Sequence, residues 1–288
     1  MKVLSIQLPS RGKLGPSHAK VSAPTVEHIR EFLTFQGRHS TAINSLVESI
    51  CDVGIGPLAC GDRDYLFVNI RQFVNPAPFE GTYACSACGK TQEFSMLFSE
   101  IRISQLPDDF QNRKVLKFPS GEEFCVQLLT VDAEQEVTEL IDLYQSSDTP
   151  NKLRHSDLGA DLETVARFAQ MLYYPDISLE DRMQKIRDMD FNDYQWLVLY
   201  DTAFSCGPKF RKEVSCSSCG HSEPVYMMID SSFLGISIHG LIEKHRFLAR
   251  VSSIGFSDFM KYTPQEADTV VKAEIDRIEK ANQKIKRR

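Results

Sequence analysis

Apolar residues recur every three to four positions over most of this chain, which is the spacing of amphipathic helices. Before residue 80 the pattern predicts a short strand over Val3 to Leu8 and then three helices. The first helix begins after Thr25 as its N-terminal cap, the second runs from Ser40 to Cys51, and the third runs from near Asp62 to the residues before Pro76. The residues between the strand and the first helix, Ser10–Ser22, are predicted to form a mobile loop.

The middle of the chain has a mixed pattern. Val115–Phe118 and Glu123–Thr130 flank Pro119-Ser120-Gly121, a turn sequence, and therefore predict a β-hairpin. Helices are predicted after it at Asp132–Tyr144, at Leu162–Leu172, after the cap Ser178, and at Asn192–Ser205. The polar segment Ser146–Ser156 contains Pro150 and is predicted to be a flexible joint.

The last predicted helix begins at Thr263-Pro264-Gln265-Glu266, where a threonine cap, a proline and a glutamate occupy the positions that favour a helix start. From Lys272 onward the sequence holds seven basic and three acidic residues. One interpretation is a solvated face whose cations favour the carboxyl end of the helix. The other is contact with an acidic partner surface.

The composition is that of an ordinary globular protein. The chain has 288 residues, of which 42% are hydrophobic and 25% charged, and a net charge of −6, which argues against a general nucleic-acid binder. No apolar run is long enough to predict a membrane span, and the first residues do not resemble a secretory signal. Eight cysteines without such a signal indicate a reducing compartment.

Two Cys-x-x-Cys-Gly motifs are the most specific feature of the sequence. They are Cys85-Ser-Ala-Cys88-Gly89 and Cys216-Ser-Ser-Cys219-Gly220, and strand-like runs flank both. In each motif the glycine can adopt the positive φ that turns the backbone amides toward the sulfurs. Four such cysteines are typical of a closed structural zinc site. We therefore predict two hairpins that form a zinc ribbon, with Cys85, Cys88, Cys216 and Cys219 binding one zinc ion per chain.

Three alternatives to this zinc site remain. The motifs could be separate redox centres, although a redox motif of this kind opens a helix; they could be surface turns without metal; or His221 could replace one thiolate. The long separation of the motifs does not exclude a shared ion. Closing such a loop costs roughly 4 kcal/mol, whereas structural zinc contributes on the order of 10–16 kcal/mol in small domains. The other cysteines occur singly and are interpreted as buried thiols: Cys51, Cys60, Cys125 and Cys206.

The predicted fold class is α+β, mainly helical, with the zinc ribbon joining the N-terminal and C-terminal halves and with one small β-hairpin. The predicted organisation is an N-terminal strand and helical segment (1–80), a zinc ribbon built from 81–100 and 209–230, a mixed insert (101–208) and a C-terminal helical segment (231–288). No phosphate-binding loop, metalloprotease motif or nucleophile elbow is present, and a four-thiolate zinc has no open position for substrate. The chain is therefore predicted not to be an enzyme.

The order of these parts resembles a known family. The segments that carry the resemblance are Leu8-Pro9, Glu27–Leu33, Asp64–Arg71, the two cysteine motifs, Leu116–Gly121 and Phe259–Glu266. Together they are similar to the baseplate-hub proteins of T-even-type contractile-tailed bacteriophages, described as hub components or hub assembly catalysts. The family pattern often varies at the second cysteine motif, whereas both motifs are intact here. Ser10–Ser22 and Ser146–Ser156 have no counterpart in the family.

The resemblance implies a structural or assembly protein of the central baseplate hub. Its expected partners are other baseplate, hub or tail proteins; neither nucleic acid nor a membrane is expected, and the sequence leaves a homo-oligomer open. Its expected location is the host cytoplasm during assembly and, if it is retained, the virion tail. Ser231–Ile236 is interpreted as core or as a contact surface. The alternative functions are a zinc-ribbon protein that binds nucleic acid or acts in transcription, and an enzyme in which zinc is only a staple.

Overall fold

The computed structural model describes residues 3–146, 161–227, 229 and 231–286. In these ranges it contains ten α-helices and ten short strands. The helices are α1 (Val26–Thr34), α2 (His39–Ile50), α3 (Cys60–Val74), α4 (Val131–Ser146), α5 (Leu162–Met171), α6 (Leu179–Arg187), α7 (Phe191–Phe204), α8 (Ile238–Val251), α9 (Phe256–Phe259) and α10 (Pro264–Lys286). The mixture of helices and small sheets confirms the coarse fold prediction.

The strands pair antiparallel in five two-stranded sheets within the described residues. They are β1 (Val3–Gln7) with β2 (His18–Ser22), β3 (Phe79–Ala84) with β4 (Thr91–Met96), β5 (Arg102–Ser104) with β8 (Gly207–Lys209), β6 (Lys114–Lys117) with β7 (Glu123–Val126), and β9 (Arg211–Ser215) with β10 (Ser222–Tyr226). The predicted hairpin around Pro119-Ser120-Gly121 is therefore confirmed, although its second strand ends at Val126 instead of Thr130.

The prediction of a mobile loop over Ser10–Ser22 is wrong for its second half. Residues 18–22 form β2, because the alternating Ala19 and Val21 bury their side chains against the core while the residues between them face outward. The turn before β2 is held by Arg11, which forms an ion pair with Asp108 at 2.6 Å. Of the predicted joint Ser146–Ser156, only Ser146 lies within the described residues.

Two large hydrophobic cores organise the chain. The first core takes its residues from both sides of the insert: from β1, β2 and α1–α3, and from α8–α10. The second core lies within the insert, among β6, β7 and α4–α7. The boundaries given above for the N-terminal segment, the zinc ribbon, the insert and the C-terminal segment remain predictions.

The C-terminal helices complete the first core. The backbone amide of Val26 donates to the Tyr262 carbonyl at 2.7 Å, and that of Glu27 donates to the Met260 carbonyl at 3.1 Å. These bonds satisfy two of the free amides that every helix leaves at its N-terminus. The caps predicted for α1 and α10 are confirmed, since Thr25 and Thr263 both accept bonds from the first turns of their helices.

A close backbone contact between α3 and the end of the insert involves two glycines. Gly61 lies in the first turn of α3, and a Cβ atom there would overlap the Cys206 carbonyl oxygen just before β8. On the other side, Gly207 has φ +105°, and a Cβ atom on it would lie 2.6 Å from the Gly61 Cα atom. Direct backbone packing of α3 on β8 therefore requires that neither position carry a side chain.

Candidate metal centre

The first cysteine motif forms the tight turn at the tip of the β3–β4 hairpin. The Gly89 amide donates to the Cys85 carbonyl at 2.8 Å, and the Cys85 amide donates to the Lys90 carbonyl at 3.0 Å. Gly89 has φ +70°, a conformation that glycine adopts without a steric cost. The turn therefore places the Cys85 and Cys88 side chains on the same side of the hairpin tip.

The second motif repeats this geometry at the tip of the β9–β10 hairpin. The Gly220 amide donates to the Cys216 carbonyl at 2.9 Å, and the Cys216 amide donates to the His221 carbonyl at 2.8 Å. Gly220 has φ +74°. The same two hydrogen bonds at the same offsets show that the two tips are local copies of one turn.

The four predicted cysteines meet where the two tips face each other. The Cys85 and Cys219 sulfurs are 3.7 Å apart, as are those of Cys88 and Cys216. All four Sγ atoms lie within 4.8 Å of one another, close enough for one metal ion to contact all of them. Cys85 and Cys216 are buried, with 1% and 2% of their surface exposed, whereas Cys88 and Cys219 lie at the surface.

The electrostatics of the cluster favour a negatively charged sulfur at one position. The pKa of the Cys216 thiol is lowered to about 6, first because the Ser218 amide donates to its sulfur and further because the Cys219 amide does so. The pKa of Cys85 is raised to about 12 although the Cys88 amide donates to its sulfur, because burial and the neighbouring thiols favour its neutral form. Four thiolates so close together repel one another, so a cation is required for all four to ionise.

Two side chains join the hairpins beside the sulfurs. The Ser86 amide donates to Glu223 Oε1 at 2.9 Å, and the Ser217 amide donates to Gln92 Oε1 at 3.3 Å. Glu223 and Gln92 each lie seven positions after the first cysteine of their own motif, and each accepts from the residue after the first cysteine of the other motif. The two contacts are thus related by an approximate two-fold symmetry. We call Gln92 and Glu223 the clasp residues.

Sequence reasoning missed the clasp residues. The signal that could have found them is the matching offset of a side-chain acceptor from each motif, but an offset within one hairpin does not show that the acceptor reaches across to the other. His221 is not a member of the sulfur cluster. Its Nε2 atom lies 3.3 Å from the Ser86 hydroxyl, and the group of potential ligands found among the described residues consists of cysteines alone.

An aromatic cluster holds the bases of both hairpins. The Phe233 ring lies 4.7 Å from that of Phe79 at the start of β3 and 5.6 Å from that of Phe210 just before β9, measured between centroids. It also stacks on Phe67 of α3 at 5.2 Å. Phe233 and Leu234 are buried, so the interpretation of Ser231–Ile236 as core is confirmed for these two residues. The hairpins therefore have a fixed base that does not depend on a metal.

The remaining four cysteines lie outside the cluster, as single thiols. Cys206 is buried, and Cys51, Cys60 and Cys125 are half-buried. Burial raises the pKa of Cys51 and that of Cys206 to about 12 each, so both are neutral thiols at neutral pH. The interpretation as buried thiols is confirmed for Cys206, whereas the other three are only partly buried.

A polar cleft that the sequence did not predict lies between α3 and the insert. Its cavity of about 210 Å³ is lined by charged side chains from α3, α4, α5, α7 and β8. The charges are paired with one another: Arg63 contacts both Asp64 and Glu134, and Arg167 lies 3.2 Å from Asp201. The cleft thus has an internal balance of charge, and the Arg63–Glu134 ion pair joins α3 to the insert.

In the described part of the chain, no helix is both long enough and apolar enough to span a membrane. A family model described as T4 bacteriophage base plate protein matches residues 1–234. This match includes both hairpins and all four clustered cysteines. No curated protein and no solved structure matches the chain.

Proposed function

Because this chain belongs to the T4 bacteriophage base plate protein family, we propose that it is a structural or assembly protein of the central hub of a contractile-tail baseplate. The family match carries the baseplate role, and the hub position within the baseplate is the further step that we propose. The protein acts by binding other baseplate, hub or tail proteins. It is present in the host cytoplasm during assembly and, if retained, in the virion tail.

The second part of the proposal is a structural zinc ion bound by Cys85, Cys88, Cys216 and Cys219. Zinc–sulfur bonds of about 2.3 Å in a tetrahedron require sulfur–sulfur distances of about 3.8 Å. The sulfur–sulfur distances Cys85–Cys219 and Cys88–Cys216, both 3.7 Å, fit this requirement. Four thiolates are a donor set that zinc prefers, and they leave no coordination position for a substrate. The site therefore supports a structural role and not a catalytic one.

The ion would join distant parts of the chain into one ribbon. Cys88 and Cys216 are 128 positions apart in the sequence, and the insert lies between their hairpins. The hairpin bases are already packed on Phe233 and α3, so the loop-closure cost is largely met by the fold itself. Zinc then fixes the two hairpin tips relative to each other. The surfaces of both halves therefore keep a constant orientation for binding partner proteins.

The charges near the tips support protein binding over nucleic-acid binding. Three basic residues precede the second motif, but each is already engaged. Arg211 pairs with Glu213 at 2.6 Å, Lys212 pairs with Glu100 at 2.8 Å, and the Lys209 ammonium donates to the Ser205 carbonyl at 3.0 Å. Phosphate binding requires free basic side chains, preferably beside stacking aromatics.

The clasp residues provide a test of the metal site. We expect Gln92→Ala and Glu223→Ala each to lower zinc affinity roughly tenfold, because outer-shell contacts that orient ligands typically contribute 10- to 100-fold. Affinity is measured by competition with a chromophoric chelator. Glu223→Gln keeps an acceptor oxygen and should therefore lose less zinc affinity than Glu223→Ala. Glu213→Ala, on the same hairpin, is the control, and its zinc affinity should not change. Unchanged affinity in both alanine variants would show that the clasp does not support a metal site.

The function is tested by quantitative mass spectrometry of purified tails, together with the metal content of the purified protein. Copies in a fixed ratio to a tail-tube or hub protein would establish a hub component. Absence from particles, with no particles formed when the gene is disrupted, would establish an assembly factor. Normal particles without the protein would reject the baseplate hub role.

We expect one zinc per chain in protein produced without added zinc, and metal-free protein would reject the zinc site.

A further inference from the structure

Strand β1 pairs with β2 on one side and has no strand on its other side among the described residues. The direction of its backbone groups follows from Lys20 of β2. The Lys20 amide donates to Asp52 Oδ1 at 2.6 Å, and its carbonyl accepts from the Asp52 amide at 3.1 Å, so both groups point away from β1. Lys20 lies opposite Ser5, and these two residues therefore form a non-hydrogen-bonded pair of the ladder. The amide and the carbonyl of Ser5 consequently point to the outer edge of β1.

Val3 and Gln7 share the orientation of Ser5. The Leu8 amide donates to the Ser17 carbonyl at 2.9 Å, toward the β2 side, and residues alternate along an antiparallel ladder. No backbone hydrogen bond in the described part of the chain reaches Val3, Ser5 or Gln7 from the outer side. All three residues are exposed. The outer edge of β1 thus presents three amides and three carbonyls to solvent.

The two edges of the β1–β2 sheet differ in protection. Asp52 closes the β2 edge, because it bonds both backbone groups of Lys20. The β1 edge lacks the devices that usually prevent strand pairing, since residues 3–8 contain no charged residue, no proline and no glycine. Apolar side chains are exposed there as well, with Val3 at 53% and Leu4 at 38%. An edge with these properties is a template for one more strand.

We infer that β1 pairs antiparallel with β1 of a second copy of this chain. When Ser5 lies opposite Ser5, Val3 of each copy lies opposite Gln7 of the other, and every outward amide meets an outward carbonyl. This register uses all three outward residues of both copies and brings no like charges together. An extended segment of another protein could bond the same groups, but this match of β1 to itself favours the second copy.

The pairing would also improve the packing of β1. Leu4 of one copy would lie opposite Ile6 of the other on the face that is directed to the core, which would cover part of the exposed Leu4 surface. Two two-stranded sheets would become one four-stranded sheet, and sheets of that size are more stable than single hairpins. The contact is two-fold symmetric and therefore stops at a dimer. This inference goes beyond the proposed function and does not depend on it.

The test measures self-association of the full chain by sedimentation velocity over a wide range of protein concentrations. We expect the unmodified protein to dimerise and Ser5→Pro to weaken the dimer roughly tenfold or more, because proline has no amide to donate to the other copy. The monomer should stay folded, since the Ser5 amide points away from β2 and edge strands tolerate proline at such positions. Urea unfolding checks this. Ser5→Ala keeps the amide and is the control that should dimerise as the unmodified protein does.

Opposite charges at position 5 test the register. Ser5→Lys and Ser5→Glu should each be monomeric alone, because two like charges would lie opposite each other in the dimer. An equimolar mixture of these two variants should form dimers, because a lysine then lies opposite a glutamate. Thr82→Lys and Thr82→Glu place the same charges at an exposed position of β3 and should not change dimerisation.

The inference is overturned if the unmodified protein is monomeric at every concentration, or if Ser5→Pro dimerises as strongly as Ser5→Ala. A mixture of the two charge variants that stays monomeric would overturn the pairing about Ser5. If the chain were monomeric and Ser5→Pro abolished its binding to another baseplate protein, a strand of that protein would be the occupant and the second copy would be excluded. None of these outcomes changes the proposed baseplate role or the proposed zinc site.

Discussion

Replacement of Cys216 by serine is expected to release the proposed zinc ion and to destabilise both halves of the chain together. The Ser218 and Cys219 amides donate to the Cys216 sulfur and lower the pKa of its thiol, and a serine hydroxyl is not a thiolate donor. We expect zinc affinity to fall roughly 100-fold or more. In excess zinc, a 100-fold loss corresponds to about 2.7 kcal/mol of unfolding free energy. Zinc content is measured by elemental mass spectrometry, and stability by urea unfolding with and without a chelator.

The matched control is Cys125→Ser, which changes a half-buried thiol on β7 outside the sulfur cluster. This variant should keep one zinc per chain and should respond to the chelator as the unmodified protein does. Two probes, one on each half of the chain, should lose their signals in a single transition in Cys216→Ser. If that variant instead kept its metal and its full stability, the two motifs would not share one ion.

Replacement of Gly61 by alanine is expected to destabilise the protein by roughly 2 kcal/mol, within the range for overpacking a closely packed site. The same substitution in an ordinary helix has the opposite effect on stability, because alanine is favoured over glycine there by about 1 kcal/mol. The reason is that the new methyl group would overlap the Cys206 carbonyl oxygen, and neither backbone can move freely. Gly207 on the other side is held in the ladder between β5 and β8. Equilibrium urea unfolding measures the difference in unfolding free energy between Gly61→Ala and the unmodified protein.

Gly240→Ala is the comparison for this variant, since Gly240 also lies in the first turn of a helix, α8. Its nearest neighbour would be the Ser237 hydroxyl at 3.3 Å, a side-chain atom that can move. We expect this substitution to be neutral or mildly stabilising. Equal effects of the two substitutions would mean that the contact between α3 and β8 does not constrain the position of the helix.

The helices were predictable because their signals are local. Thr25, Ser178 and Thr263 mark helix starts through bonds to amides three residues away, and all three caps are present in the structure. The mobile-loop prediction for Ser10–Ser22 was wrong in its second half for the opposite reason. Residues 18–22 form a strand only because β1 and the core supply a pairing edge and a buried face, and neither is visible in those five residues.

The candidate metal site likewise has features set by local sequence and features set by long-range contacts. The sequence by itself determined both cysteine turns, because a Cys-x-x-Cys-Gly turn is set by its own backbone bonds and by a glycine with positive φ. Only the tertiary structure decided that the two turns face each other with sulfurs 3.7 Å apart, and that Gln92 and Glu223 join them. It also decided that α3 touches β8 at Gly61 and that the α10 side chains from Glu279 to Gln283 are exposed. These contacts join residues far apart in the chain, and their geometry depends on how both cores pack, which no local pattern records.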